Sequence, residues 1–297
     1  MNKILFRADS SSVIGTGHIM RDLVLAKRDF KNDNIIFAVQ DLDGNINHKI
    51  VEAGYKIEIL ESNDIEELDK LIKKQNIEML VIDHYDIDYN YEKQLSTLNF
   101  QLSIMVLDDT YEKHHCDILL NHNISAEERR YKDLVPTACE LRCGANYTLL
   151  REEFYQEKAI KREKIYDVFI AMGGADHSNV NIKILEVLKN INNIQVVVVT
   201  TTANQHLKKL QRYSRAKQWV SLLINSNQIA KVMGQSRYAI VSPSVTVNEI
   251  HFMRIPFIAI KTADNQFDMY RFLKQKRFMV LKEFNKYKLK RKLCKLL

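Results

Sequence analysis

The sequence predicts an α/β fold made of two Rossmann-like, doubly wound domains that face a cleft. Three observations predict it. Short runs rich in β-branched residues recur along the chain, amphipathic segments of helical period alternate with them, and the second half repeats the alternation. Runs apolar on both faces read as parallel strands, because βαβ crossovers cover both sides of such a sheet. A length of 297 residues suits two domains of ordinary size.

In the first half the strands read as KILFRAD (3–9), NIIFAVQ (34–40), YKIEIL (55–60), MLVIDH (79–84), LSIMVLD (102–108) and CDILLN (116–121). Between them, Asp64–Lys74 sets Ile65, Leu68, Leu71 and Ile72 on one helical face. The second half reads as strands at 166–172, 194–201, 220–225, 238–242 and 256–261. Helices are expected at 179–191 and 226–233, the second with Ser226 as N-cap. The polar stretch 151–164 reads as a helix followed by a linker. The expected domains are therefore 1–150 and 165–273, with a basic tail at 274–297.

Net charge is +7, and its excess is concentrated at one end. From Arg271 to Leu297 eleven Lys or Arg stand against one acid, Glu283, so the preceding body is close to neutral. The expected place of the tail is a solvated C-terminal helix packed on the first domain, with Phe278, Leu281, Phe284 and Leu289 inward. Contact with a membrane surface is the sharper and less favoured alternative. A nucleic-acid partner is not expected, since no nucleic-acid module is visible. Few Gly and Pro exclude collagen-like and low-complexity classes. The opening MNKILFRAD is too charged for a signal peptide, and no apolar run reaches membrane-spanning length. With four cysteines, this points to reduced thiols and a cytoplasmic location.

Ligands of doubly wound sheets bind beyond the carboxyl ends of the strands, and the polar motifs fall there. After the first strand come Gly15, Gly17, His18 and Arg21. A glycine turn before a helix start lets backbone N–H groups approach an anion. His18 is suited to general-base work and Arg21 to holding a carboxylate or phosphate. The dinucleotide fingerprint is absent, because GTGHIM lacks its third glycine. The fourth strand ends in Asp83-His84-Tyr85; His84 is read as a strand-end cap, and Tyr85 as presenting its hydroxyl to the cleft. His114-His115-Cys116-Asp117 has metal-ligating types, but adjacent ligands on a strand point to opposite faces, so a turn entering a strand is favoured. In the second half, Met172-Gly173-Gly174 forms a strand-to-helix turn suited to phosphate. Ser244 or Thr246 caps the helix carrying Asn248 and Glu249, the latter a possible acceptor for a ribose diol. The last strand ends in a polar run with Asn265 and Gln266.

Taken in order, these motifs resemble one family. Arg7-X-Asp9, Gly15-X-Gly17-His18-X-X-Arg21, Ile82-Asp83-His84-Tyr85, His114-His115-Cys116-Asp117, Cys143-Gly144, Arg151-Glu152-Glu153-Phe154, Met172-Gly173-Gly174 and Val247-Asn248-Glu249 are similar to the UDP-2,4-diacetamido-2,4,6-trideoxy-β-L-altropyranose hydrolases of bacterial pseudaminic acid biosynthesis. The resemblance runs from about residue 3 to about residue 270. It implies the GT-B fold, kinship with the N-acetylglucosaminyltransferase of peptidoglycan synthesis, and metal-independent, inverting cleavage of the sugar–UDP bond with no cofactor. It further implies His18 as the base that activates water, with Tyr85 and Asn265 near the sugar. Met172, Gly173, Gly174, Ser244 and Glu249 would hold UDP, and Arg151 a diphosphate or sugar group. A GT-B glycosyltransferase that admits a sugar or lipid-linked acceptor in place of water is the nearest rival; a nucleotide-sugar binding protein with a dead site is the rival of another class.

Overall fold

The computed structural model describes residues 2–176 and 178–296. The chain divides into two compact units, Met1–Leu149 and Leu150–Leu297. In the first unit the elements run β1 (Lys3–Ala8), α1 (Gly17–Asp29), β2 (Asn34–Gln40), α2 (His48–Glu52), β3 (Lys56–Leu60), α3 (Ile65–Gln75), β4 (Met79–Asp83), α4 (Tyr89–Leu98), β5 (Ser103–Leu107), β6 (Ile118–Asn121) and β7 (Glu140–Cys143). They form one parallel sheet in the order β3-β2-β1-β4-β5-β6-β7.

The strand period of two sets the layers of this unit. Ile4, Phe6 and Ala8 of β1 join Ile35, Phe37 and Val39 of β2 in one core, where Ile19, Leu25 and Ala26 of α1 also pack. Leu5, Ile36 and Ala38 point the other way, into the core that holds Leu68, Leu71 and Ile72 of α3. Phe6 stacks on Phe37 with ring centroids 4.9 Å apart. Each such side chain contributes about 1.5–3 kcal/mol on leaving water, which is why the helices are held against both faces of the sheet.

The second unit contains α5 (Glu152–Ala159), β8 (Tyr166–Ala171), α6 (Val180–Leu188), β9 (Val196–Thr200), α7 (Leu207–Arg215), β10 (Val220–Ile224), α8 (Ile229–Gly234), β11 (Ser236–Val241), α9 (Val245–Phe252), β12 (Phe257–Ile260), α10 (Phe267–Gln275), β13 (Met279–Leu281) and α11 (Lys286–Leu296). Its parallel sheet has the order β10-β9-β8-β11-β12-β13. In both sheets the order reverses where the first strand meets the fourth. Those two places, β1 beside β4 and β8 beside β11, are the switch points at which such sheets bind ligands.

Several expectations are corrected. The segment 151–164 opens with the expected helix, α5, which packs on α8, and the stretch after it is tied down, since Lys164 Nζ donates to the carbonyls of Gly234 (2.7 Å) and Ser236 (3.0 Å). The apolar face of the basic tail packs within the second unit. Residues 279–281 add a sixth strand beside β12, and Leu289, Leu293 and Leu296 of α11 enter the core of the second unit. Ser226 is not an N-cap; α8 starts later, with Gln228 at the cap position and Ser226 Oγ accepting the Gln228 N–H. Strands β7 and β13, short and at sheet edges, carry too little apolar pattern to be read from sequence. Among the described residues no helix is long and apolar enough to cross a membrane.

Candidate functional site

The switch point of the first unit is built around β1, α1 and β4. After β1 the chain turns tightly: Ser11 pairs with Gly15, and Ser11 Oγ accepts the N–H groups of Val13 (3.1 Å) and Ile14 (2.9 Å). Gly15 has φ +87°, a conformation that costs a residue with a Cβ. Gly17 then opens α1, so His18 lies in its first turn and Arg21 one turn on. Both reach Asp83, the last residue of the neighbouring strand β4.

His18 Nδ1 lies 2.7 Å from Asp83 Oδ1. Arg21 Nε donates to Asp83 Oδ2 at 2.5 Å, its Nη2 donates to Oδ1, and its Nη1 donates to Asp109 Oδ2 at 3.1 Å. Tyr85 donates its hydroxyl to Asp109 Oδ1 at 3.1 Å, and its ring meets His18 edge-on, centroids 4.8 Å apart. An ionised carboxylate only accepts, so the contact with Asp83 puts the imidazole hydrogen on Nδ1 and the lone pair on Nε2. Burial would push the Asp83 carboxyl up, but the Arg21 guanidinium and His18 more than offset this and hold it well below the usual carboxylate range. Burial and the Asp109 charge push the Tyr85 phenol up to about 12, which keeps it a donor at neutral pH. His18 lines a cavity of about 110 Å³ with Ile14, Asp83, His84 and Tyr85.

Beside this group, Arg7 is wholly buried and joins Asp9 at 2.8 Å. His84 Nδ1 accepts the Asp86 N–H at 3.1 Å, so its Nε2 donates to Asp9 at 3.0 Å. His84 thus ties the end of β4 to the end of β1. Farther along the sheet, His114 is held at Nδ1 by Glu92 of α4 at 2.7 Å, and Cys116 Sγ lies 3.7 Å from Cys139 Sγ.

The switch point of the second unit joins the β8–α6 and β11–α9 turns. Gly173 has φ +80°, and a Cβ placed on it would lie 4.0 Å from Ser242 Oγ. A Cβ on Gly174 would come within 2.9 Å of Thr201 Oγ1, so only glycine fits there without movement. The Gly174 carbonyl accepts from Thr200 (3.3 Å) and Thr201 (3.2 Å), whereas the N–H groups of Gly173 and Gly174 meet no acceptor among the described residues. The start of α6 is already capped by Asp176, whose carboxylate accepts from Val180 N at 2.7 Å and Asn181 N at 3.2 Å. Met172 turns its side chain into the core, which leaves only its backbone for a ligand. Ser244 stands at the N-cap of α9, yet its hydroxyl pairs with Ser242 Oγ at 3.2 Å and not with its own helix.

Glu249 faces Arg151, whose Nη2 is 3.6 Å from Glu249 Oε1 and 3.0 Å from Glu153 Oε1. Burial pushes Glu249 up to about 7; Arg151 opposes this and Glu153 adds to it. Asn248 is buried in α9. Asn265 is exposed in the turn after β12, while Gln266 Oε1 is committed to that turn, accepting from the N–H groups of Thr262 (2.8 Å) and Ala263 (3.3 Å).

The structure therefore gathers Gly15, Gly17, His18, Arg21 and Tyr85 in one unit, and Gly173, Gly174 and Ser244 in the other. Arg21, read as holding a carboxylate or phosphate, holds two carboxylates of its own unit, Asp83 and Asp109. Asp109 escaped the sequence reading, although its place just past the end of β5 was a usable signal.

No family model matches the chain. Among characterised proteins it is 44% identical, over 264 residues, to the UDP-2,4-diacetamido-2,4,6-trideoxy-β-L-altropyranose hydrolase of Campylobacter jejuni subsp. jejuni, covering 89% of this chain and 93% of that one. Among solved structures it is similar to MurG of Acinetobacter baumannii, with TM-score 0.68 and 11% identity over 100% of this chain and 91% of that chain. It is also similar to the UDP-GlcNAc 2-epimerase of Neisseria meningitidis bound to UDP-GlcNAc, with TM-score 0.61 and 11% identity over 99% of this chain and 91% of that chain. These structural likenesses identify the fold as the GT-B type with two Rossmann-like domains.

Proposed function

The chain belongs to the family of UDP-2,4-diacetamido-2,4,6-trideoxy-β-L-altropyranose hydrolases, and on that premise we propose that it cleaves a UDP-linked 2,4-diacetamido-2,4,6-trideoxy hexose at the anomeric C–O bond, with inversion. One observation carries the assignment of the base: the His18–Asp83 contact of 2.7 Å beside a cavity. His18 Nε2 takes a proton from water as the water oxygen bonds to the anomeric carbon. The bond to the diphosphate oxygen breaks, and its electron pair leaves with UDP. Asp83 keeps the ring in the tautomer that can accept, and its charge favours the imidazolium that forms.

Inversion requires water on the face opposite the leaving group. UDP is a good leaving group, so no paired carboxylates are needed; growing charge on the β-phosphate is met by donors. In this reading the donors are the free N–H groups of Gly173 and Gly174, the Ser244 hydroxyl and the start of α9. Glu249 accepts from the ribose diol, with Arg151 steering its carboxylate. Tyr85 and Asn265 contact the sugar. Neither a metal nor a cofactor enters this scheme.

NMR of the UDP-sugar incubated with the protein in ¹⁸O-water tests it. The expected result is label on the sugar's anomeric carbon, none in UDP, and first release of the anomer opposite to the substrate's. Label in the phosphate overturns the proposal. Turnover only after a sugar or lipid acceptor is supplied replaces it with transfer.

A further inference from the structure

Asp22 sits on α1 directly after Arg21 and one turn beyond His18, at the spacing that stacks side chains on one helical face. The residue is completely buried, and neither carboxyl oxygen meets a hydrogen-bond donor among the described residues. Asp83 is bonded to both His18, one turn before Asp22, and Arg21, next to it in the chain, and Asp83 and Arg21 are both close enough to act on Asp22 by charge. Two ionised carboxylates only accept hydrogen bonds, so as ions they would repel in a place water does not enter. One proton between them turns the conflict into a charge-assisted O–H···O⁻ bond.

The surroundings decide which oxygen keeps that proton. Asp83 receives hydrogens from Arg21 and His18, whereas Asp22 receives none. We propose that Asp22 is a neutral carboxylic acid that donates its hydrogen to Asp83, and that it is thereby a positioning residue for His18. Burial and the Asp83 charge both act to hold the proton on Asp22, against the weaker pull of Arg21.

The charge balance explains why a carboxylic acid suits the place. The charged groups that act on Asp22 are Asp83 from β4 and Arg21 from α1; Asp83 is met in turn by His18, Arg21 by Asp109 after β5, and His122 after β6 lies in the field of Arg21, Arg28, Asp83 and Asp109. Burial, with Arg21 next, pulls His122 down to about 4, so it is neutral. Arg21 then faces two carboxylates, Asp83 and Asp109. A third negative charge at Asp22 would favour the imidazolium of His18 before any substrate arrived and would remove the base. A protonated Asp22 completes the hydrogen bonding of Asp83 without adding charge.

The role in positioning rests on the hydrolase reading; the protonation does not, and the two are tested apart. In the ligand-free protein labelled with ¹³Cγ-aspartate, one carboxyl resonance is expected at the protonated position at pH 7 and absent from D22N. If every aspartate resonance lies at the ionised position, or the protonated signal survives in D22N, the proposal is overturned whatever the protein hydrolyses. In turnover, D22A is expected to lower kcat about tenfold or more with KM within about twofold, as for loss of a residue that orients a catalytic group. D22N, a neutral donor of the same shape, is expected to restore most of the loss and to keep the acid limb of the kcat/KM profile in place. A kcat for D22N as low as that of D22A, or an acid limb moved to lower pH, overturns it. Should D22A not fold, the D22N profile and the resonance decide.

Discussion

His18 Nδ1 and Asp83 Oδ1 stand 2.7 Å apart although 65 positions separate them in the chain. The contact exists because β1 and β4 are neighbours at the switch point of the first sheet, which sets the start of α1 over the end of β4. A buried, ionised Asp83 then fixes the tautomer of the ring that the reaction needs as a base.

Replacement of that ring should abolish chemistry and spare binding. His18→Ala is expected to lower kcat on the order of 10²–10⁴-fold, the usual worth of a general base. Its thermal shift with UDP should match that of the unaltered protein, since UDP contacts are assigned to the second unit. Steady-state kinetics with a UDP melting series checks both; an unchanged kcat removes His18 from the mechanism.

Arg21 should matter more for stability than its place near a ligand site suggests. Its side chain is 14% exposed and holds both Asp83 and Asp109. Arg21→Met leaves two carboxylates with no cation, and removing one partner of a buried ion group costs about 3–5 kcal/mol. Urea unfolding should show a lower midpoint with the same slope. A change below about 1 kcal/mol, the worth of an exposed pair, would mean that the group is not held as described.

Glycine at 174 should be separable from its neighbour. Gly174→Ala puts a methyl group against Thr201 and is expected to cost about 1–3 kcal/mol, as overpacking does. It should also weaken UDP binding, because the turn carrying the free N–H groups must shift. Gly174→Ala with Thr201→Ala removes the clash and should recover both the melting temperature and the UDP affinity; failure to recover them would place the fault elsewhere.

Affinity for a nucleotide sugar should rise with pH through about 7. Glu249 is pushed up to about 7, and only its ionised form accepts both hydrogens of a ribose diol. Titration calorimetry with UDP-N-acetylglucosamine from pH 6 to pH 8 should show tighter binding as pH rises. Glu249→Gln should flatten that dependence; a dependence that persists in the variant assigns it to another group.

Stability should fall on the alkaline side through His114. Burial alone would lower this imidazole, but Asp108 and Glu92 raise it to about 9. A group raised on folding stabilises fully below its unfolded value, about 6.5, and that contribution is lost as pH climbs through about 9. Asp108 works at the other end: its carboxyl is lowered to about 2, so its contribution is lost as pH falls below about 4 toward that value. The melting temperature should therefore decline between about pH 6.5 and pH 9. His114→Gln should remove most of that decline, and a decline of unchanged size would rule His114 out as its source.

The alternating strands, both buried faces of each sheet and the collection of polar residues at strand ends were legible in the chain itself. Apolar period is a property of consecutive residues, so 34–40 reads as a strand from its own letters and forms β2 with those bounds. His18 was found the same way, from a glycine turn at a helix start. What the sequence could not supply was partnership. Arg21 reads as a free cation on a helix face; only the order β1-β4-β5 brings Asp83 and Asp109 to it and takes up its fork. Asp22 reads as one more acid on an amphipathic helix, and only the fold buries it without a donor among the described residues. The basic tail reads as an appendage, until β13 pairs with β12 and α11 sends three leucines into the core. Local pattern decides what each segment becomes, because it concerns neighbours in the chain. Charge state and contact depend on which distant segments the sheet order sets side by side, and that was decided by tertiary structure alone.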